Sequence, residues 1–209
     1  MTSEAGVKES AEAVKAKLGP ATIVINNAGI GSSKLILDND QAWLHKIFGV
    51  NVFSHYYSAK AFLPDMAKRN HGHIVTIAST ASFMTLPTIS DYACTKAGVL
   101  SFHEALKQEV RHAYEAPGVL TSVVHPNWTR TALIKKEADQ IEKQQGPLMT
   151  PQFVAEKIAE QVFSCRGGQL ILPEHMAFLS TVKAWPNWGQ EFLRGLLGAQ
   201  TVKQIVKNS

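Results

Sequence analysis

Three short apolar runs rich in β-branched residues punctuate this chain: Ala21–Ile25, His73–Ala78 and Val119–Val124. The stretches between them carry helical spacing and are far too long for hairpin turns. Strands that alternate with helices in this way run parallel, and the crossover helices cover both faces of the sheet. The pattern predicts an α/β, doubly wound parallel sheet in which Ala21–Ile25 is buried on both faces. Helices are expected over Ser3–Leu18, Gln41–Lys68 and Ser90–Ala113. A fourth opens at Thr150-Pro151, where threonine caps and proline takes the first helical position. Ala155, Ile158, Ala159, Val162 and Phe163 form its buried stripe, Gly167-Gly168 stops it, and a last strand covers Gln169–Leu172. Asn127–Met149 reads as a polar, irregular segment. With no repeat and no low-complexity linker, residues 1–209 are expected to form a single domain.

Charge and cysteine content narrow the function classes. The net charge is only +4, from 21 basic and 17 acidic residues, and the longest basic run is Lys135-Lys136, which is no nucleic-acid footprint. No run of 18 apolar residues and no signal-peptide pattern occurs in the sequence. Cys94 and Cys165 cannot build a disulfide framework, so a reducing, cytoplasmic setting is the default. His71 and His73 have no third ligand near them in sequence; a turn is expected there and no metal.

Sites in parallel sheets lie beyond the carboxyl ends of the strands. Asn26-Asn27-Ala28-Gly29 follows the first run, Ser79 the second, and His125-Pro126-Asn127-Trp128-Thr129-Arg130-Thr131 closes the third. Tyr92 and Lys96 lie four apart on an expected helix and so share one face. A lysine ammonium beside a phenol favours the phenolate, lowering its pKa from the usual value of about 10 and suiting it to proton exchange near neutral pH. The spacing alone is weak, since Tyr56 and Lys60 repeat it. Context separates the pairs: Ser79 stands thirteen residues before Tyr92, whereas Trp43 holds that offset before Tyr56. Asn51, inside the long expected helix, is a poor helix former whose side chain competes for backbone hydrogen bonds.

Taken together, Asn26-Asn27-Ala28-Gly29, Asn51, Ser79, Tyr92 and Lys96 resemble the cofactor turn and catalytic tetrad of the short-chain dehydrogenase/reductase family, and the resemblance runs the length of the chain. It implies a Rossmann-like fold, NAD or NADP as cofactor, and an alcohol–carbonyl interconversion. Tyr92 would be the general acid/base, and Lys96 would hold the nicotinamide ribose and lower the tyrosine pKa. Ser79 would orient the substrate oxygen, and Asn51 would anchor a water relay. Asn27, Ala28, Gly29, Tyr92, Lys96, Thr129 and Thr131 would contact the cofactor. Most of the family has Pro-Gly where this chain has Pro126-Asn127; asparagine tolerates positive φ and is expected to substitute on that account. The segments His71–Thr76 and Met176–Leu179 are similar to the subgroup of 17β-hydroxysteroid and retinol dehydrogenases. That implies an apolar alcohol or ketone substrate of steroid, retinoid or lipid type, with association at the endoplasmic reticulum or lipid-droplet surface. A homodimer or homotetramer through helices Gln41–Lys68 and Ser90–Ala113 is also expected. Trp185 and Trp188, with Phe178, Leu179 and Leu193, read first as core and second as a substrate wall or interfacial surface.

The family's glycine-rich phosphate loop should precede all of this, and no such stretch stands before Asn26. The expectation is a chain lacking the first three strands and that loop, the C-terminal two-thirds of such an enzyme, with weak or no cofactor binding of its own. Residues Thr131–Met149 are expected to act as a lid. The alternative is a non-catalytic protein that keeps the fold as a binding or scaffold module. A cofactor-independent relative of the halohydrin dehalogenase kind would carry arginine in place of Lys96, and the lysine argues against it.

Overall fold

The computed structural model describes residues 3–135 and 137–196. Helix α1 (Glu4–Leu18) is capped by Ser3, whose hydroxyl accepts from the Gly6 amide, and ends at Gly19 with φ of 83°. Strand β1 (Ile23–Asn26) follows, then α2 (Gln41–Phe48), a π-helical turn (Gly49–Phe53) and α3 (Ser54–Arg69). Next come β2 (Gly72–Ile77), α4 (Ser90–His112) and β3 (Val119–Pro126). The chain finishes with α5 (Ala138–Gln145), α6 (Pro151–Phe163), β4 (Gly168–Leu172), an extended 3-10 segment (Glu174–Ala184) and α7 (187–196). Asp40 caps α2 through the Trp43 amide and Thr150 caps α6 through the Phe153 amide.

The four strands form one parallel sheet in the order β1-β2-β3-β4. Side chains alternate across it, so the central strand β2 is buried throughout. Ile74 faces α3 and α4 in a core with Leu63, Met66, Phe102, Leu106 and Val110. Val75 and Ile77 face the other way, toward Val154, Ile158 and Val162 of α6. Helices thus flank both faces, as strand–helix alternation requires. Gly72 is glycine for a packing reason: a Cβ there would lie 2.6 Å from Met66 Cγ.

Five expectations need correction. Strand β1 is not covered on both faces: among the described residues it is the edge strand, and Ile23 and Ile25 are 46% and 47% exposed with no described helix over that side. The helix expected over Gln41–Lys68 is broken by the π turn. On α6, Ala155 and Phe163 face solvent, the latter 81% exposed, and Val154 takes their place against the sheet. The segment Asn127–Met149 contains ordered structure, a 3-10 turn at Ala132–Ile134 and α5, tied together by Arg130 ion-pairing with Asp139 and Glu142. His73 lies in β2 rather than in a turn, bonded through Nε2 to Ser122 Oγ at 2.8 Å.

Buried histidines give the fold an acid limit. Burial pushes His55, His103 and His125 each down to about 4. An unfolded chain protonates them near pH 6.5. Below that value the unfolded state binds more protons, so stability falls as pH drops from about 6.5 toward 4. His103 Nδ1 has no partner, so exchanging this side chain for leucine removes a buried, unpaired polar atom. We expect His103→Leu to unfold at higher urea than the parent at pH 5 and to gain less at pH 8. Parallel pH curves for the two proteins would contradict this.

Candidate active site

The carboxyl ends of β1, β2 and β3 converge with the first turns of α4 and the π turn. Asn51 is the link. Proteins tend to place π turns at functional sites, and this one puts the asparagine wholly inside the protein. Its Oδ1 accepts from the Ile30 amide at 2.8 Å, and its Nδ2 donates to the Ile30 carbonyl at 2.8 Å and to Thr95 Oγ1 at 3.0 Å. The π turn frees a backbone acceptor at Val50, which takes the Ser54 hydroxyl at 2.6 Å. The turn after β1 is therefore bolted to α4 through one side chain.

Lys96 is buried, and its Nζ donates to the Ile77 carbonyl at the end of β2, 2.8 Å away. It lies 5.6 Å from the centre of the Tyr92 ring. A Cβ at Gly29 would sit 3.7 Å from both Lys96 Nζ and Asn51 Oδ1, and one at Gly31 would sit 3.3 Å from Tyr92 Cδ2. The glycines let the β1 turn pass directly over these groups. Ser79, just past the end of β2, is buried; its hydroxyl accepts from the Ala81 amide at 3.1 Å and faces the Tyr92 phenol, whose pKa it pulls down. Leu133, in the 3-10 turn after β3, packs beside Gly31 and the Tyr92 ring. The structure thus brings together Asn51, Ser79, Tyr92, Lys96 and Gly29, whereas Asn27 is exposed and Ala28 half-buried on the same turn. Thr129 Oγ1 donates to the Asn127 carbonyl at 3.0 Å, and Thr131 is exposed, one turn further out.

Two details differ from expectation. Burial pushes the Tyr92 phenol up, with the Ser79 hydrogen bond pulling against it, so the net direction is opposite to the lowering expected from Lys96. Burial also lowers Lys96 itself to about 8, since no carboxylate is among the causes that set it. Asn127 does not use a positive φ. Its Oδ1 accepts from Thr80 Oγ1 at 3.1 Å, and its amide donates to the Leu172 carbonyl, tying β3 to β4 and to the turn after Ser79. The second Tyr/Lys pair is elsewhere: Tyr56 stacks on Phe102 and Lys60 pairs with Glu4 of α1.

Sequence reasoning missed Asp91 and His125. Asp91 is 4% exposed at the start of α4, and its Oδ2 accepts from Ser32 Oγ at 2.9 Å and Trp43 Nε1 at 2.6 Å. It clamps the β1 loop and α2 beside Tyr92. Only its place next to the tyrosine could have flagged it.

A doubly wound sheet with its polar cluster at the carboxyl edge belongs to the class of α/β proteins that bind ligands at that edge. The chain belongs to the short-chain dehydrogenase family: the family profile described as short chain dehydrogenase matches residues 1–142. Estradiol 17-beta-dehydrogenase 11 from Homo sapiens is 33% identical over 177 residues, which is 85% of this chain and 57% of that protein. Dehydrogenase RED3 from Cochliobolus heterostrophus is 41% identical over 122 residues, covering 58% of this chain and 62% of the relative. Retinol dehydrogenase 10-B from Danio rerio is 35% identical over 142 residues, covering 68% and 41%. The chain therefore spans less than two thirds of the length of these relatives. A crystal structure of a gluconate 5-dehydrogenase from Burkholderia cenocepacia in complex with NADP and tartrate shares the fold, with a TM-score of 0.71 at 23% identity, covering 84% of this chain and 72% of that one.

Asp91→Ala strands the Ser32 hydroxyl and the Trp43 indole N–H, so it should lower stability by about 1–3 kcal/mol. Urea unfolding checks this, with the same substitution in a Trp43→Phe background recovering part of the loss. An unchanged midpoint would contradict the clamp.

Proposed function

We propose that this chain, read as one domain over residues 1–209, is an NAD(P)-dependent oxidoreductase that interconverts an alcohol and a ketone or aldehyde on an apolar substrate. The observation that carries the reading is the convergence of Tyr92, Ser79 and Lys96 under the Gly29 turn. Steroid and retinol dehydrogenases among the relatives support an apolar substrate, and Leu133 beside the phenol gives the site an apolar wall.

The residues present fit the nicotinamide end of such a cofactor. Gly29 leaves open space where a side chain would stand, and Lys96 Nζ has donors beyond the one given to Ile77. Lys96, Tyr92, Gly29 with Asn27 and Ala28, Thr129 and Thr131 would hold it. A bound nicotinamide supplies the hydride donor or acceptor.

The chain's own contribution is proton exchange. A phenol that burial keeps protonated donates to a carbonyl oxygen as negative charge grows there, and takes the proton back in the reverse direction. Ser79 donates a hydrogen bond to the same oxygen, and Lys96 offsets the charge left on the phenolate. Asn51 keeps the turn in place, and a water relay to Lys96 is part of this reading. The 3-10 turn at Ala132–Ile134 and α5 act as a lid, Leu133 being their contact with the tyrosine. Phe53 and Tyr56 are exposed on the π turn and α3, which supports a homodimer or homotetramer through that surface. Among the described residues no helix is long and apolar enough to cross a membrane. Exposed Trp188 and Phe192 on α7 support docking of a cytoplasmic protein at an endoplasmic-reticulum or lipid-droplet surface. A non-catalytic protein that keeps the fold as a binding or scaffold module is the second reading.

The test is turnover of NADH or NADPH with an apolar ketone, with calorimetry for cofactor binding. Tyr92→Phe should cut turnover by about 10²–10⁴-fold, the usual worth of general acid–base catalysis, and leave cofactor affinity in place. Tyr56→Phe should stay within a few-fold of the parent. Equal losses from both would refute the role of Tyr92, and a parent that binds neither cofactor would favour the scaffold.

A further inference from the structure

His125 is among the most deeply buried side chains in the protein, and the proton chemistry above makes no use of it. It lies one residue before Pro126 at the end of β3. The β2–β3 ladder runs through Ile77↔Val124 and the Ala78 amide, which donates to the Val124 carbonyl at 2.8 Å. Pro126 has no N–H, so β3 cannot extend the ladder past this point. The Ser79 carbonyl accepts twice: the Ser82 amide donates to it at 3.0 Å, and His125 Nδ1 reaches it from β3 at 3.0 Å. On the far side of the ring, Gln169 Nε2 of β4 lies 3.1 Å from His125 Nε2. Phe83 packs on the ring with centroids 4.5 Å apart.

These partners define the protonation pattern. A carbonyl oxygen only accepts, so Nδ1 carries the hydrogen; an amide NH₂ donates, so Nε2 is bare. The imidazole is neutral: burial pushes it down to about 4, the bond to the Ser79 carbonyl works against this, and the cation of Lys96 on α4 adds to it. Through the His125 ring, β3 and β4 are thus tied to the carbonyl of Ser79, the serine that lowers the pKa of the Tyr92 phenol. The Ser79 hydroxyl also accepts from the Ala81 amide at 3.1 Å, while its contact with the Pro126 carbonyl is 3.4 Å long.

We infer that His125, held in its Nδ1–H form by Gln169, is a positioning residue that fixes the Ser79 backbone and so aims the Ser79 hydroxyl at the Tyr92 phenol. This rests on the reading of Ser79 and Tyr92 as the pair that meets the substrate oxygen. The role is separate from packing, which Phe83 and the flanking strands supply to any ring of this size.

The test uses the 209-residue chain labelled with [ζ-¹³C]tyrosine, recorded at pH 7 without cofactor, with the Tyr92 signal identified by its loss in Tyr92→Phe. Ser79→Ala calibrates how far that signal moves when the serine bond is removed. His125→Phe keeps the ring and the contact with Phe83 but removes both hydrogen bonds; it should move the Tyr92 signal in the same direction and at least half as far. His125→Asn keeps a donor near the Nδ1 position and should restore most of the parental shift. If Ser79→Ala moves the signal and His125→Phe leaves it at the parental value, His125 is packing only and the inference fails while the reading of the site stands. If Ser79→Ala moves nothing, the serine–tyrosine contact itself fails and the inference falls with it. Should His125→Phe not fold, ¹⁵N spectra of the parent decide: Nδ1 protonated and Nε2 bare supports the inference, and the opposite tautomer overturns it.

Discussion

The site depends on one buried amide. Asn51 exchanges two hydrogen bonds with the backbone of Ile30 and gives a third to Thr95, one residue from Lys96. A single uncharged side chain thereby joins the π turn, the β1 turn and the first helical turns of α4. A buried amide left unpaired costs about 1–3 kcal/mol, so each of these pieces is held where the others need it. Gly31 uses this closeness: a Cβ there would crowd Tyr92 Cδ2 at 3.3 Å, whereas one at Gly29 would meet Lys96 Nζ and Asn51 Oδ1 at an ordinary 3.7 Å. The site is assembled by the protein alone.

The strand–helix alternation and the polar cluster at the strand ends were legible in the sequence because each rests on local chemistry. β-branched runs, the Thr150 cap and the glycine stops act within a few residues of themselves. What escaped depends on neighbours distant in the chain. Ile23 and Ile25 look like interior strand residues, yet their exposure follows from what packs against β1 rather than from β1 itself. Phe163 fits the apolar stripe of α6 by spacing and still faces solvent, because the helix rotates to place Val154, Ile158 and Val162 on the sheet. The π turn was visible only as an ill-placed asparagine. The roles of Asp91, His125 and Asn127 rest on partners 44 to 59 residues away (Gln169, Ser79, Thr80, Trp43 and Ser32), which no local pattern announces.

The electrostatics also reverse a sequence-level intuition. A lysine four residues from a tyrosine suggests a depressed phenol, but both groups are buried and burial disfavours charge on either. The Lys96 ammonium spends one donor on the Ile77 carbonyl rather than on the phenol. The site in this form stores a neutral phenol and a weakened cation. That state is suited to giving a proton when charge develops on a nearby oxygen, and it makes the Ser79 hydroxyl the direct polar partner of Tyr92.

Amide hydrogen exchange at Ile30 tests the preassembly most directly. In the cofactor-free chain its N–H, held by Asn51 Oδ1 at 2.8 Å, should be protected although it lies in a loop. In Asn51→Ala its exchange should speed up by about tenfold or more, while amides of β2 and β3 keep their protection. An Ile30 amide that exchanges at the unprotected rate in the parent, or one that Asn51→Ala leaves unchanged, would contradict the account.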